Sequence, residues 1–194
     1  MKTSFKISAL VLAFAAFSLG AKAQTATGST TSATTTSGIR YSIGVDAGIP
    51  IGDFNNTHSF NLGGSLQTDI PVTSQLFVTV NVGYNNFFGK SVGNSSINYT
   101  NINLLPVKAG LKFFPVQNFY VQGEAGASFL LNKNTLGATN SVAFVYAPQV
   151  GVLFPVSTKS FIDAGLRFES NSAFVNNGSN LNFIGVRLAY GFGL

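Results

Sequence analysis

Cysteine is absent from this 194-residue sequence, and charged residues are scarce. Without cysteine the chain can form no disulfide, no thiolate metal site and no lipoprotein anchor. Charged residues make up 9% of the chain, against roughly a quarter in an ordinary soluble domain. The sequence contains one histidine and no run that combines His, Asp and Glu at ligand spacing, so we expect neither a metal site nor another cofactor.

The N-terminal residues have the features of an export signal. Two lysines precede an apolar run over residues 7–19, and a small-x-small motif ends at Ala23. These features predict a signal peptide over residues 1–23, cleaved between Ala23 and Gln24. The alternative, a membrane anchor, needs about 20 apolar residues, more than this run provides.

Removing the signal peptide changes the charge of the chain. The whole sequence has a formal charge of +5, and residues 1–23 contain three of its eleven basic residues and none of its six acidic ones. The remaining chain therefore carries about +2, and no basic run is present. We expect no nucleic-acid partner.

From residue 39 onward the chain alternates between apolar and polar residues with the period of a β-strand. The clearest case is the stretch 104–131, which reads as two strands joined by a tight turn that contains Pro115. No segment has a helical period. The predicted strands are residues 39–50, 59–70, 76–88, 103–114, 119–131, 142–154, 161–170 and 181–194.

The connections between these segments alternate between two kinds. Three are short and contain a Pro-Val pair that begins at Pro71, Pro115 or Pro155; proline presets a turn and cannot donate to a sheet. The others are longer and rich in Asn, Gly and Ser, as in outer-membrane barrels. The sequence thus predicts an all-β fold, an eight-stranded antiparallel up-and-down transmembrane β-barrel over residues 39–194. Residues 24–38 are rich in Thr and Ser and are expected to be a disordered tail.

The Pro-Val turns, the cleavage junction at Ala23 and the closing strand up to Leu194 resemble the small outer-membrane β-barrel family. The chain is similar in plan to the OmpA and OmpX barrels and to the Bacteroidota-type outer membrane protein beta-barrel domain. This resemblance implies a monomeric porin-family protein in the outer membrane of a Gram-negative bacterium, in contact with lipid and lipopolysaccharide. It also implies that the barrel-assembly machinery reads the last strand, at Tyr190, Phe192 and Leu194. The Pro-Val turns would then face the periplasm and the longer loops the exterior.

The alternation along the predicted strands assigns each charged residue either to the lipid-facing side or to the interior of the barrel. The apolar face, with Ile43, Val80 and Val186 among its members, is expected to meet lipid. The opposite face points into the barrel, where five positive and five negative side chains balance each other. They are Arg40, Asp46, Asp69, Lys108, Lys112, Glu124, Asp163, Arg167, Glu169 and Arg187.

The interior of an eight-stranded barrel holds little more than side chains. We therefore expect a charge-paired network that fills the barrel, which indicates a structural or surface-interaction role. A narrow porin-like channel for small molecules is the alternative. In the hairpin around Pro115, Glu124 is predicted opposite Gly110 and within reach of both Lys108 and Lys112.

Other interpretations have less support in the residues. A secreted β-sandwich adhesin would show the same alternation within single strands. His58 lies beside Ser59 in the predicted first loop, without a catalytic partner, and we interpret it as a solvated side chain in a protein that is not an enzyme. Pro148 falls inside the sixth strand and predicts a β-bulge.

Overall fold

The computed structural model describes residues 38–93, 97–176 and 178–193. It contains eight strands, a 3-10 helix at Gly52–Asn56 and one turn of α-helix, α1, at Lys133–Leu136. The predicted signal peptide, its cleavage site at Ala23 and Gln24, the tail up to residue 37, and Leu194 lie outside the described residues. The strands are β1 Arg40–Ile51, β2 His58–Pro71, β3 Leu76–Gly89, β4 Ile102–Val116, β5 Phe119–Leu130, β6 Val142–Pro155, β7 Ser160–Asn171 and β8 Leu181–Gly193.

The strands form a closed antiparallel barrel in sequence order. Each strand pairs with its neighbours in the chain, and β1 also pairs with β8: Arg40 lies opposite Asp69 of β2 on one side and opposite Gly193 of β8 on the other. Closure leaves no unpaired sheet edge, which is a requirement for strands in lipid. The predicted fold class is confirmed, and the predicted strand ends agree with the structure to within two residues.

One end of the barrel, the turn end, carries the three short connections, residues 72–75, 117–118 and 156–159. The predicted prolines lie at strand ends here, since Pro71 closes β2 and Pro155 closes β6. Near Pro115 the register of β4 against β5 shifts between Phe113 and Val116. The two-residue turn that follows contains Asn118 at φ 68°, a left-handed conformation that asparagine adopts more readily than most residues.

The other end, the loop end, carries the four longer connections, residues 52–57, 90–101, 131–141 and 172–180. These four loops are hydrogen-bonded to one another in a ring around the opening. Lys90 Nζ donates to Asn55 Oδ1 (3.0 Å), and Asn132 Nδ2 to the carbonyl of Asn101 (2.6 Å). The ring is completed by two contacts to the last loop, Asn140 N to Phe174 O (2.9 Å) and Ser179 Oγ to Asp53 Oδ2 (2.9 Å).

The outward face of the barrel is apolar along every strand. Ile43 and Val45 of β1 and Val186 and Leu188 of β8 are more than half exposed. The alternating residues of the same strands are buried, with the strict two-residue period seen in β6 and β8. Such a face would be unstable in water, because it exposes a contiguous apolar surface far larger than a soluble monomer carries.

The predicted β-bulge at Pro148 is wrong. Pro148 lies opposite Gly123 of β5, and β6 keeps one register against β7 from Val145 to Pro155. Between Val145 and Pro155 the β6–β7 ladder lacks paired residues at Ala147 and Pro148. The barrel therefore accommodates the missing N–H by a local gap in the ladder, which needs no extra residue.

Candidate functional site: the barrel interior

All ten charged residues predicted to face inward are buried in the structure. None is more than 9% exposed, and Lys112, Asp163 and Glu169 are completely buried. They come from β1, β2, β4, β5, β7 and β8, so their side chains approach one another across the barrel. Buried charges are stable only when each is paired and hydrogen-bonded, and the contacts of each one therefore matter. The ten are Arg40, Asp46, Asp69, Lys108, Lys112, Glu124, Asp163, Arg167, Glu169 and Arg187, and the group without Arg40 is called the charge network below.

The part of the charge network nearer the turn end is centred on Lys112. Its Nζ lies 2.8 Å from Asp69 Oδ2 and 3.6 Å from Asp163 Oδ2. Arg187 Nη1 lies 3.3 Å from the same oxygen of Asp163, and Tyr120 donates its hydroxyl to Asp163 Oδ1 at 2.7 Å. Asp163 is thus shared by two cations and one hydroxyl.

The part nearer the loop end is centred on Glu169. Its Oε2 accepts from Lys108 Nζ at 2.6 Å and lies 3.6 Å from Arg167 Nε. Lys108 Nζ also lies 3.5 Å from Glu124 Oε2, and Arg167 Nη2 donates to Asp46 Oδ1 at 2.7 Å. Each cation here bridges two carboxylates.

Ser65 joins the two parts. Its hydroxyl donates to Asp46 Oδ2 at 2.6 Å and accepts from Arg187 Nε at 2.9 Å. The charge network is consequently continuous through the interior, from Asp69 to Glu169. A continuous network holds each side chain in place through several partners, which favours rigidity over single pairs that exchange freely.

The predicted contacts of Glu124 are only partly correct. The register places Gly110 opposite Glu124 and Lys112 opposite Gln122, as expected, and Lys108 does reach Glu124. Lys112 instead bonds to Asp69 on a strand that is not adjacent in the sheet. A hairpin pattern reveals diagonal neighbours within two strands, whereas barrel closure brings non-adjacent strands within reach of a long side chain.

Buried amides surround the charge network. Gln67 Nε2 donates to Asp69 Oδ1 at 2.7 Å, and Gln67 Oε1 accepts from Asn81 Nδ2 at 3.2 Å and from Gln122 Nε2 at 3.3 Å. Gln149 Nε2 donates to the Tyr120 hydroxyl at 2.5 Å. These amides provide both donors and acceptors, so they adapt to either sign of charge.

Arg40 lies apart from the charge network, at the turn end. Within the described ranges it makes no ion pair; its guanidinium lies over the Phe77 ring, 3.9 Å from the centroid, and 5.4 Å from that of Phe114. Phe114 in turn contacts Tyr120, with ring centroids 5.8 Å apart. A cation–π contact with two rings stabilises a desolvated guanidinium, and these aromatic side chains close the turn end of the barrel.

An apolar cluster, the loop-end cap, fills the opposite end of the interior. Phe87, Leu104, Leu130, Ala143 and Phe183 supply it from the strand walls, and two loop residues complete it, Phe54 from the 3-10 helix and Phe174 from the last loop. Both loop residues are at most 5% exposed. Ring contacts connect Phe54 to Phe87 at 5.0 Å and Phe87 to Phe183 at 5.2 Å.

Sequence reasoning missed the loop-end cap, although a pattern for it exists. At Phe87-Phe88, Leu104-Leu105 and Leu130-Leu131 two successive residues are apolar, so both faces of the strand are apolar there. Apolar pairs near one end of several strands indicate an interior that is apolar at that end. No comparable pattern marks Phe54 and Phe174, because side chains in loops do not alternate between two faces.

The interpretation of His58 as a solvated loop residue is wrong. His58 is the first residue of β2 and only 4% exposed. Its ring lies against Phe54, with centroids 4.8 Å apart, and its nitrogens contact Thr57 Oγ1 at 2.8 Å and the Thr100 carbonyl at 3.2 Å. His58 therefore links the loop-end cap to the 90–101 loop.

Three further observations concern the predicted sites. Tyr190 and Phe192 lie on the outward face of β8, 47% and 42% exposed. In the part of the chain that the structure describes, no three His, Cys, Asp or Glu side chains are grouped so as to hold a metal ion. Over the same residues, no helix combines the length and apolar character that a membrane-spanning helix requires.

Comparison with solved structures places the fold among small outer-membrane barrels. The barrel of OprG from Pseudomonas aeruginosa matches with a TM-score of 0.54 at 12% sequence identity, covering 81% of this chain and 96% of that one. Ail of Yersinia pestis, solved in complex with the heparin analogue sucrose octasulfate, matches with a TM-score of 0.52 at 16% identity, covering 81% and 99%. AlkL, solved in DMPC lipid bilayers, matches with a TM-score of 0.51 at 13% identity, covering 88% and 97%.

No family model matches the sequence, and no curated protein matches it. The identities to the solved barrels are low, and the likeness is one of fold. The chain therefore belongs to the class of closed eight-stranded antiparallel β-barrels whose structural relatives are bacterial outer-membrane proteins.

Proposed function

We propose that this protein is an integral outer-membrane β-barrel with a structural or surface-interaction role and an interior closed to solutes. It would be exported by the signal peptide at residues 1–23, inserted by the barrel-assembly machinery and function as a monomer. Its partners would be outer-membrane lipid and lipopolysaccharide on the outside of the barrel. The proposal includes no cofactor, no nucleic acid and no catalytic step.

The filled interior is the observation that carries the closed-barrel proposal. From one end to the other it contains the rings around Arg40, the charge network and the loop-end cap. An eight-stranded barrel leaves room for side chains and little else, and here large side chains occupy it at all three levels.

The outward face supports the membrane location. Lipid-facing strands of outer-membrane barrels carry an apolar band flanked by aromatic girdles. Here Phe60 and Phe88 stack near the loop end with centroids 4.6 Å apart, and Tyr41 and Phe192 contact each other near the turn end at 5.9 Å. These pairs lie at the two edges of the apolar band, where interfacial aromatic residues are expected.

The ring of loops supports a surface role over a transport role. Four loop-to-loop contacts hold the opening, and Phe54 and Phe174 are anchored beneath them. A hydrogen-bonded, apolar-backed surface is suited to present a fixed shape to the exterior.

A narrow channel for small molecules is the second candidate. The observation that favours it is that Phe54 and Phe174 belong to connections and not to strands. Moving them aside would break no ladder hydrogen bond, so the loop end could open without loss of the barrel.

Ion conductance distinguishes the two candidates. The protein without residues 1–23 is refolded in detergent, its folding is checked by a heat-dependent shift in gel mobility, and it is inserted into a planar bilayer. Folded protein that produces no conductance steps supports the closed barrel. Reproducible steps would favour the channel, and failure to fold in detergent would overturn the membrane proposal itself.

A further inference from the structure

We propose that the three Pro-Val pairs form a lipid-binding collar at the turn end. In this valine collar, Val72, Val116 and Val156 contact the boundary between the headgroups and the acyl chains of a phospholipid leaflet. The valine collar rests on the membrane location proposed above, and it adds which part of the wall the bilayer covers. The turn end lies level with the membrane surface, and the loop end projects beyond the bilayer.

The three valines occupy the same position in the chain pattern. Each directly follows a proline where a strand ends, and the three side chains are 58%, 60% and 62% exposed. A single exposed apolar side chain is ordinary on a protein surface. Three of them, one at each short connection of the same end, indicate a shared environment.

Two of the valines continue the outward face of their strands. The amide of Val72 donates to the carbonyl of Leu76 at 2.8 Å, so the pairing of β2 with β3 extends past the proline. Val72 is two residues after Ile70, which is 40% exposed on the outward face, and the period of a strand therefore turns Val72 outward as well. Val156 has the same place after β6, where its amide donates to the carbonyl of Ser160 at 2.9 Å.

Val116 reaches the outward face by a different route. Phe113, three residues earlier, faces outward, so that alternation alone would turn Val116 inward. The register of β4 against β5 shifts between these two residues, and Val116 lies opposite Phe119, which is 36% exposed on the outward face. Residues directly opposite each other in an antiparallel pair share one face. The irregularity near Pro115 thus directs the third valine to the same side as the other two.

The wall of the barrel is taller than the apolar band of a membrane. Strands β3, β4 and β6 contain 14, 15 and 14 residues. At a rise of about 3.3 Å per residue and a tilt of about 40°, such a strand spans about 35 Å along the barrel axis. The apolar band of an outer-membrane barrel is about 25 Å tall. The bilayer therefore covers only part of the wall, and the outward residues decide which part.

Outward amide side chains place the bilayer toward the turn end. Asn86 of β3 and Asn103 of β4 lie opposite each other near the loop end, and Asn182 lies at the same end, where β8 begins. An amide is costly to place in hydrocarbon, so we expect this part of the wall to lie beyond the apolar band. The last outward residues of β2, β4 and β6 before the valine collar are apolar and at least 40% exposed. They are Ile70, Phe113 and Phe154.

The charge of the turn end fits a phospholipid surface. Lys159 is exposed in the same connection as Val156, and its carbonyl accepts from the amide of Gly193 at 2.8 Å. Asp69 and Asp163, the acidic residues of the neighbouring strand ends, are at most 4% exposed. Among the described residues, this end therefore presents a positive charge and no exposed acid. A lysine beside an apolar collar can extend its ammonium group toward the lipid phosphates.

The test uses single tryptophan reporters, because the chain contains no tryptophan of its own. Val72→Trp, Val116→Trp and Val156→Trp are each refolded into phosphatidylcholine vesicles whose acyl chains carry bromine either near the headgroup or near the chain end. We expect bromine near the headgroup to quench all three reporters, and bromine near the chain end to quench them less. Leu188→Trp on the outward face of β8 is the reference in lipid, and Val175→Trp in the last loop is the reference in water; these residues are 55% and 43% exposed.

The two references separate failure of the valine collar from failure of the membrane location. Collar reporters quenched as little as Val175→Trp, while Leu188→Trp is quenched, would overturn the valine collar and leave the membrane barrel standing. An unquenched Leu188→Trp would overturn the membrane location itself.

A second label removes the preference that tryptophan itself has for membrane interfaces. Since the chain contains no cysteine, Val156→Cys can carry a single nitroxide spin label. Relaxation of this label by dissolved oxygen that exceeds relaxation by a water-soluble nickel chelate supports the valine collar, and the reverse order overturns it. If a tryptophan variant fails to fold, the nitroxide result decides.

Discussion

Lys108→Met is the most informative single change to the charge network. The ammonium of Lys108 lies 2.6 Å from Glu169 and 3.5 Å from Glu124, and all three side chains are at most 1% exposed. At an effective dielectric constant of about 20, unit charges at these separations attract each other by about 6 and about 5 kcal/mol. Most of this attraction offsets the cost of burying the three charges, and removing one partner of a buried pair typically costs about 3–5 kcal/mol.

We therefore expect Lys108→Met to lower the free energy of unfolding by about 3–5 kcal/mol. Methionine has nearly the length of lysine without its charge, so the loss reports two carboxylates left without their cation. The measurement is denaturant unfolding in lipid vesicles at neutral pH, with the folded fraction read from gel mobility.

The matched control is the double variant Lys108→Met with Glu169→Gln. It removes one charge of each sign, so it should recover part of the stability that the single variant loses, and the double-mutant cycle gives the coupling between the two residues. If the free energy of unfolding of Lys108→Met lay within about 1 kcal/mol of the wild-type value, the reasoning would be refuted, because ion pairs exposed to bulk water contribute no more than that. The interior would then be hydrated throughout and not filled by a dry network.

Three other predictions concern the cap, the outer face and a turn. Phe54→Ala should lower the free energy of unfolding by about 3–5 kcal/mol, because it leaves a cavity in the loop-end cap. Truncation to alanine at an exposed loop position such as Val175 (43% exposed) should lower it only slightly. Equal losses at the two positions would contradict the cap. Val186→Arg places a charge midway along the outward face of β8 and should lower the free energy of unfolding in lipid by about 2–4 kcal/mol. Val186→Leu should change it little. An arginine variant as stable as wild type would mean that this face is not in lipid. Asn118→Ala should destabilise the two-residue turn by about 1 kcal/mol, because alanine is strained at φ 68°, while Asn118→Gly should be nearly neutral. For all three predictions, each variant is refolded into lipid vesicles and its denaturant midpoint is compared with that of the wild type.

The fold was predictable because its main determinant is local. Strands of this barrel alternate apolar and polar residues with period two, and each Pro-Val pair marks a turn near its position in the structure. The same period assigned all ten interior charges to the buried face, since a side chain's face follows from its place in the strand alone.

The partners of those charges were not predictable in the same way. Lys112 was expected beside Glu124 but bonds to Asp69, two strands away. Pro148 was expected to force a bulge, and the β6–β7 ladder instead tolerates a gap. His58 was placed in solvent, and the loop-end cap buries it. The errors at Lys112 and His58 involve contacts with segments distant in sequence, at Asp69 and Thr100, about which a periodic pattern carries no information.

The sequence by itself thus determined the number of strands, their order, and which side chains face inward, because these depend on alternation and on turn residues within short stretches of chain. Only the tertiary structure decided which charges pair between non-adjacent strands and how the loop end of the barrel is closed. Closing the sheet brings non-neighbouring strands and loops within side-chain reach, so that Phe54 and Phe174 enter the same cluster. It is this closure that brings Lys108 to Glu169 and Lys112 to Asp69 across the interior.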